Sequence, residues 1–165
     1  NRSYIYSCGS MPKRGGTHGK RILEKWIRDG EIRYYAKGDI RHFYKNIQIK
    51  IVMRYLRRII EDEWFLYVIE LCFKYFKKGL PLGFYISQWL ANYLLEPMDY
   101  AIVKVEKHYV RYVDDIIIGG KNKKKLAKLL IRIRMCLGRW YRLRMKKNYQ
   151  VCKFDYEKNG EVKLK

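Results

Sequence analysis

Apolar residues recur at helical spacing through much of the chain. Around His18–Arg28, Ile22, Leu23 and Trp26 or Ile27 fall on one face of a short amphipathic helix. From Gln48 to about Lys78, the positions Ile49, Val52, Leu56, Ile59 and Ile60, then Phe65, Val68, Ile69, Cys72, Phe73 and Phe76, predict two helices divided near Glu61-Asp62-Glu63. Ser87 to about Lys104 is again helical, with Pro97 expected to kink or end it. Asn122 is a candidate cap for a further helix, in which Leu126, Leu129, Leu130, Ile133, Leu137 and Trp140 form one apolar stripe against a lysine and arginine face.

Between these stretches the pattern changes to short runs bounded by turn residues. Glu31–Ala36 is rich in tyrosine and lies between Gly30 and Gly38, which predicts a strand ending near Asp39. His108–Val113 and Ile116–Gly119 are apolar runs joined by Asp114-Asp115, the outline of a tight hairpin. Gly79–Gly83 reads as a turn, and Leu143–Lys165 as strands with a turn at Asn159-Gly160. The order of elements suits an α+β domain, an antiparallel sheet in a split βαβ arrangement backed by helices.

Charge narrows the choice of partners. The 165 residues carry 37 lysines and arginines against 16 acidic residues, a formal charge of +21. Such an excess favours a polyanionic partner, because each phosphate neutralised releases condensed counterions. With 48% hydrophobic residues, the basic charge belongs to a folded domain and not to a disordered arm. Cys8, Cys72, Cys136 and Cys152 form no CxxC pair, which argues against a zinc site or a disulfide framework and for reduced thiols. The longest apolar run, Trp64 to Ile69, is too short for a membrane span, so a soluble cytoplasmic protein is expected. Residues 7–20 form a glycine-rich basic loop. Gly19-Lys20 suggests a phosphate loop, but Arg14 stands where the first glycine should be and Arg21 where Ser or Thr is required.

The candidate chemistry lies in three aspartates. Asp114 and Asp115 are adjacent in an otherwise apolar hairpin, where they repel each other and fit a strand poorly. Turn chemistry alone accounts for such a pair. Asp39, at the end of another predicted strand in a strongly basic chain, turns the set into a candidate site for two metal ions acting in an in-line phosphoryl displacement.

Three motifs then give a specific resemblance. Tyr112-Val113-Asp114-Asp115, within its apolar runs, resembles the YxDD box of reverse transcriptases. Asp39-Ile40-Arg41-His42-Phe43-Tyr44 resembles their motif A, and Gly79-Leu80-Pro81-Leu82-Gly83-Phe84-Tyr85-Ile86-Ser87-Gln88 their motif B. The likeness extends from Gly9–Gly19, similar to part of the fingers, to about Gln150. It implies a polymerase palm over residues 31–165 and a partial fingers segment over 1–30, together a piece of a longer protein. Leu82 departs from the glutamine common in motif B. The resulting LGxxxSQ form resembles the enzymes of diversity-generating retroelements, and argues mildly against retrons and group II introns.

The resemblance implies roles residue by residue. Asp39, Asp114 and Asp115 are the catalytic carboxylates and, with the Ile40 carbonyl, hold two Mg²⁺ ions, with Mn²⁺ as an alternative. Tyr44 matches a steric gate against the ribose 2′-hydroxyl; Phe43, Gly83, Phe84 and Gln88 border the nucleotide, and Lys146 falls near a motif D lysine. Lys13, Arg14, Lys20 and Tyr112 are candidates to touch nucleic acid. The implied partners are an RNA template, a DNA or RNA primer and deoxynucleoside triphosphates, with an accessory protein of the retroelement as a further one. Two other readings stand beside this one: a defence-associated or template-independent polymerase of similar chemistry, and a truncated remnant that binds nucleic acid without catalysis.

Overall fold

The computed structural model describes residues 7–9, 14–76, 79–156 and 162–163, with backbone only at 155, 156, 162 and 163. Helix α1 (Gly16–Arg28) buries Leu23, Trp26 and Ile27, the face its spacing predicts, and stops at Gly30, whose φ of 66° only glycine adopts cheaply. Strand β1 (Tyr34–Asp39) leads into the short helix α2 (Phe43–Asn46) and then α3 (Ile49–Leu56). Asp62 caps α4 (Glu63–Lys74) by accepting from the Phe65 N–H, so the acidic run that separates the two predicted helices also starts the second. Helix α5 (Tyr85–Val105) leads to the hairpin of β2 (Tyr109–Tyr112) and β3 (Asp115–Gly120). Helix α6 (Lys123–Cys136), capped by the Asn122 side chain, ends in a π turn over Leu137–Tyr141. Strands β4 (Gln150–Lys153), β5 (Asp155–Tyr156) and β6 (Val162–Lys163) close the chain, and the expected Asn159-Gly160 turn lies outside the described residues.

Strands β2-β3-β1-β4 form one antiparallel sheet in that order, so β1 pairs with elements far away in sequence on both sides. Alternation along the strands sends side chains to two apolar layers. Ala36, Tyr109, Ile116 and Ile118 join the main core with α3, α4, α5 and α6. Tyr35, Val110 and Ile117 face the opposite way, into a smaller cluster with Leu23, Trp26 and Ile27 of α1 and with Phe154. Part of the sheet is therefore covered on both faces, which explains the unbroken Ile116-Ile117-Ile118 run of β3.

Of the two expectations for Pro97, the structure excludes an end to the helix, which runs through it to Val105, close to the Lys104 limit that the spacing predicts. Two further expectations are corrected. Trp140 is 62% exposed, and Tyr141 takes its place in the core, because the wider π turn shifts the phase of the stripe by one residue. In α4 the buried face is Leu66, Ile69 and Phe73, whereas Phe65, Val68 and Cys72 point to solvent.

Candidate active site

The strand register assembles the site. Antiparallel pairing of β1 with β3 sets Asp39 directly opposite Asp115, so both side chains leave the same face at the same end of the sheet. Tyr112 pairs with Asp115 across the hairpin, which leaves Val113-Asp114 as the turn between them. The Ile40 N–H donates to the Asp114 carbonyl at 3.1 Å, which holds the turn against the end of β1. Val113 has φ of 57°, a conformation costly for a β-branched residue.

Two groups pin this strained turn. Arg111 Nη1 donates to the Val113 carbonyl at 3.0 Å. On the other side Gly9 packs so closely that a Cβ there would lie 2.5 Å from Val113 Cγ2, and its carbonyl accepts from Asn92 Nδ2 at 2.7 Å. The guanidinium of Arg111 also meets Asp99 through Nε–Oδ1 at 2.9 Å and Nη2–Oδ2 at 2.6 Å, and Asn92 Oδ1 at 3.0 Å. Burial opposes the Arg111 charge, but Asp99 more than restores it and keeps its pKa raised. The motifs did not point to this network. A signal was available: Asn92 and Asp99 sit seven positions apart on an apolar helix, and buried polar residues demand partners.

Electrostatically the site is short of cations. Burial pushes the Asp114 carboxyl up, and the charges of Asp39 and Asp115 add to this, against the pull of Lys146 and of a backbone hydrogen bond. Asp39 Oδ1 is buried with no hydrogen-bond partner, while Oδ2 accepts from Lys146 Nζ at 2.6 Å. Among the described residues no three His, Cys, Asp or Glu side chains are grouped as a ready-made ion cage. The donor set nevertheless fits a hard divalent cation, since all donors are carboxylate oxygens and one of them is buried and unsatisfied.

The other predicted residues divide into those near this cluster and those away from it. Tyr44 is half-buried beside it; burial and the Asp114 charge raise its pKa, so its hydroxyl stays neutral. The Leu80 N–H donates to the Tyr44 carbonyl at 2.9 Å, and a Cβ at Gly79 (φ 74°) would lie 2.4 Å from that oxygen. The 79–83 turn is thereby tied to the Asp39 segment. Phe43 is corrected: it is 2% exposed in the main core, edge-on to the Tyr44 ring at 5.5 Å, and is positioned to support Tyr44. Gly83 and Phe84 are exposed, Gln88 is half-buried, and Ile40 is buried at the end of β1. Tyr112 is half exposed. Lys20 is exposed on α1 with Glu24 3.7 Å away, and Arg14 is near enough to Cys8 to act on its thiol. Lys13 lies outside the described residues.

Comparison with known proteins bears on the family and the fold. The sequence profile of the family "Reverse transcriptase (RNA-dependent DNA polymerase)" matches residues 6–155. The retron Ec73 reverse transcriptase of Escherichia coli is 29% identical over 140 residues, covering 73% of this chain and 43% of that protein. Among solved structures, apo telomerase from Candida tropicalis superposes with a TM-score of 0.63 at 16% identity, over 90% of this chain and 33% of that one. Telomerase from Candida albicans in complex with a TWJ fragment of telomeric RNA gives 0.64 at 14% identity, over 93% and 32%. The chain thus spans less than half the length of these relatives. No helix among the described residues is long and apolar enough to cross a membrane. The palm-like sheet, the aspartates at its end and the profile match over most of the chain lead to one assignment: the chain belongs to the reverse transcriptase family.

Proposed function

We propose that this chain is the catalytic palm of an RNA-directed DNA polymerase of a bacterial retroelement, adding deoxynucleotides to a primer 3′-hydroxyl. The observation that carries this reading is the register that faces Asp39 with Asp115 and puts Asp114 in the adjoining turn. Asp39 and Asp114, with Asp115 and the Ile40 carbonyl, would hold the divalent ions, Mg²⁺ or Mn²⁺. When bound, such ions supply charge neutralisation at the phosphates and activation of the attacking hydroxyl.

The chain's own residues account for selection and placement. The neutral, half-buried Tyr44 presents a rigid ring backed by Phe43, suited to reject a ribose 2′-hydroxyl by clash. The exposed Gly83 and Phe84, on the turn tied to Tyr44, would border the incoming base pair, with Gln88 behind them. Basic residues including Lys13, Arg14 and Lys20, together with Tyr112, would follow an RNA template and its primer through the backbone without reading sequence. The likeness of motif B to diversity-generating enzymes rests on Leu82, whereas the curated relative is a retron enzyme. An accessory protein and a cytoplasmic location rest on the sequence alone.

Primer extension on poly-rA/oligo-dT with Mg²⁺ or Mn²⁺ tests the reading, using the full-length protein and Asp114→Ala. Incorporation by the parent that falls to background in the variant is expected. Incorporation that survives loss of Asp114 would remove the metal assignment. Nucleic-acid binding without incorporation by either would favour the reading of a nucleic-acid-binding protein without catalysis.

A further inference from the structure

We propose that Lys146 is the resident counter-ion of Asp39, and that a divalent ion enters the site by displacing its ammonium group. Lys146 therefore sets the site's affinity for the ion. The inference rests on the carboxylates being the ion site, as proposed above, and it assigns to Lys146 a role ahead of any nucleotide.

The backbone fixes the pairing before the side chains do. Ile40 and Met145 form an antiparallel bridge, flanked by hydrogen bonds from the Arg41 N–H to the Arg144 carbonyl and from the Lys146 N–H to the Asp39 carbonyl, both at 2.8 Å. Lys146 is thereby held abreast of Asp39, although 107 positions separate them. From there Nζ reaches Oδ2 at 2.6 Å. Gly38 belongs to the same fit, since a Cβ there would lie 2.9 Å from the Met145 side chain.

The pair is built to open. The Lys146 side chain is 44% exposed and that of Asp39 21%, so the lysine can swing into solvent, where hydration offsets the lost ion pair. Asp39 Oδ1 is buried without a partner, so the ammonium satisfies only part of what the carboxylate can accept. Asp115 stands opposite and Asp114 adjoins, and one monovalent cation faces three carboxylates. A divalent ion brings twice the charge and gathers several carboxylate oxygens in its inner shell, whereas this ammonium bonds Asp39 at Oδ2. Without Lys146 the same carboxylates would repel one another uncompensated; with it, the ion must compete for Oδ2. The released ammonium stays tethered beside the site by its backbone bond to Asp39.

The test is direct Mn²⁺ binding to the full-length protein, followed by electron paramagnetic resonance of the free ion, with no reaction required. Lys146→Met should bind Mn²⁺ about two- to fivefold more tightly than the parent, the scale expected for removing one competing, partly exposed cation. Lys146→Arg, which keeps a cation on Asp39, should stay near the parent. Circular dichroism should show all variants folded, since position 146 is exposed. Parent-like or weaker binding by Lys146→Met overturns the proposal. Asp39→Asn separates the two levels: equal Mn²⁺ binding by this variant and the parent overturns the metal site itself, whereas loss of binding there with no change in Lys146→Met overturns only the role of Lys146.

Discussion

Two aspartates of this domain each hold a basic side chain, in opposite ways. Asp99 and Arg111 lie between α5 and β2 with both side chains 1% exposed, joined by a two-pronged contact and surrounded by Tyr109 and Asn92. Asp39 and Lys146 meet at the end of β1 through one contact, with one carboxylate oxygen left over. The Asp99 pair has every prong matched, so nothing remains for a ligand, and it would be costly to open. The Asp39 pair has spare acceptor capacity and a solvated partner, the conditions under which one cation can be exchanged for another. The two are joined through the turn: Arg111 holds the Val113 carbonyl, and Asp114 follows it. A closed pair thus positions the backbone on which the open pair's neighbours sit.

The largest effect comes from breaking the closed pair. Arg111→Met leaves Asp99 buried and uncompensated, and should cost about 3–5 kcal/mol of stability in urea unfolding. A loss under about 1 kcal/mol would mean that solvent reaches Asp99, against its burial here.

Next is to remove the closed pair without stranding its members. Asp99→Leu, Tyr109→Phe and Arg111→Met together replace the charges and the hydroxyl with apolar groups, and should recover roughly half or more of that loss. The Val113 carbonyl would still lack its donor, so Mn²⁺ binding should remain weaker than in the parent, with the fold restored. Full recovery of both stability and ion affinity would show that Arg111 serves packing alone.

How much of this was legible beforehand follows from the range of each interaction. Local signals suffice where the pattern is short-range: the hairpin is visible in two apolar runs, α1 in its stripe, and the Asn122 cap in residue type and position. The sequence marks Asp62 only as part of a divider between helices, whereas the structure makes it a cap. Phase errors arose where local geometry departs from 3.6 residues per turn, as at Trp140, or where a helix is apolar all round, as in α4, so that the pattern cannot say which side is covered. Pro97 shows tertiary packing holding a helix that propensity would end. The aspartates stand out as an adjacent pair in an apolar hairpin and a third at a strand end, and the motifs sharpen them. Their pairing across β1 and β3, however, is a long-range register that no local pattern encodes. Lys146 was expected at the nucleotide and lies on Asp39, a contact made by β-bridging to Met145.

The smallest effect tests a pair of intermediate character. His108 is nearly buried, with Nε2 2.5 Å from Glu31 Oε2 and Nδ1 3.1 Å from Glu106 Oε1, while Glu31 is 36% exposed and also meets Lys107. With carboxylates at both ring nitrogens, only the protonated imidazole can donate to both. The hydrogen bond to His108 lowers the Glu31 pKa most, with Lys107 assisting and desolvation opposing. A lowered carboxylate pKa means that the folded state holds the proton less well than the unfolded chain does. The stability this confers is present above the ordinary carboxylate range and is lost as pH falls through the folded value. Thermal melts of the parent and Glu31→Gln should therefore differ by a small margin near neutrality and converge on acidification. A gap that stays constant across the acid range would mean that Glu31 contributes through packing or neutral hydrogen bonds, placing it with neither the closed pair nor the exchangeable one.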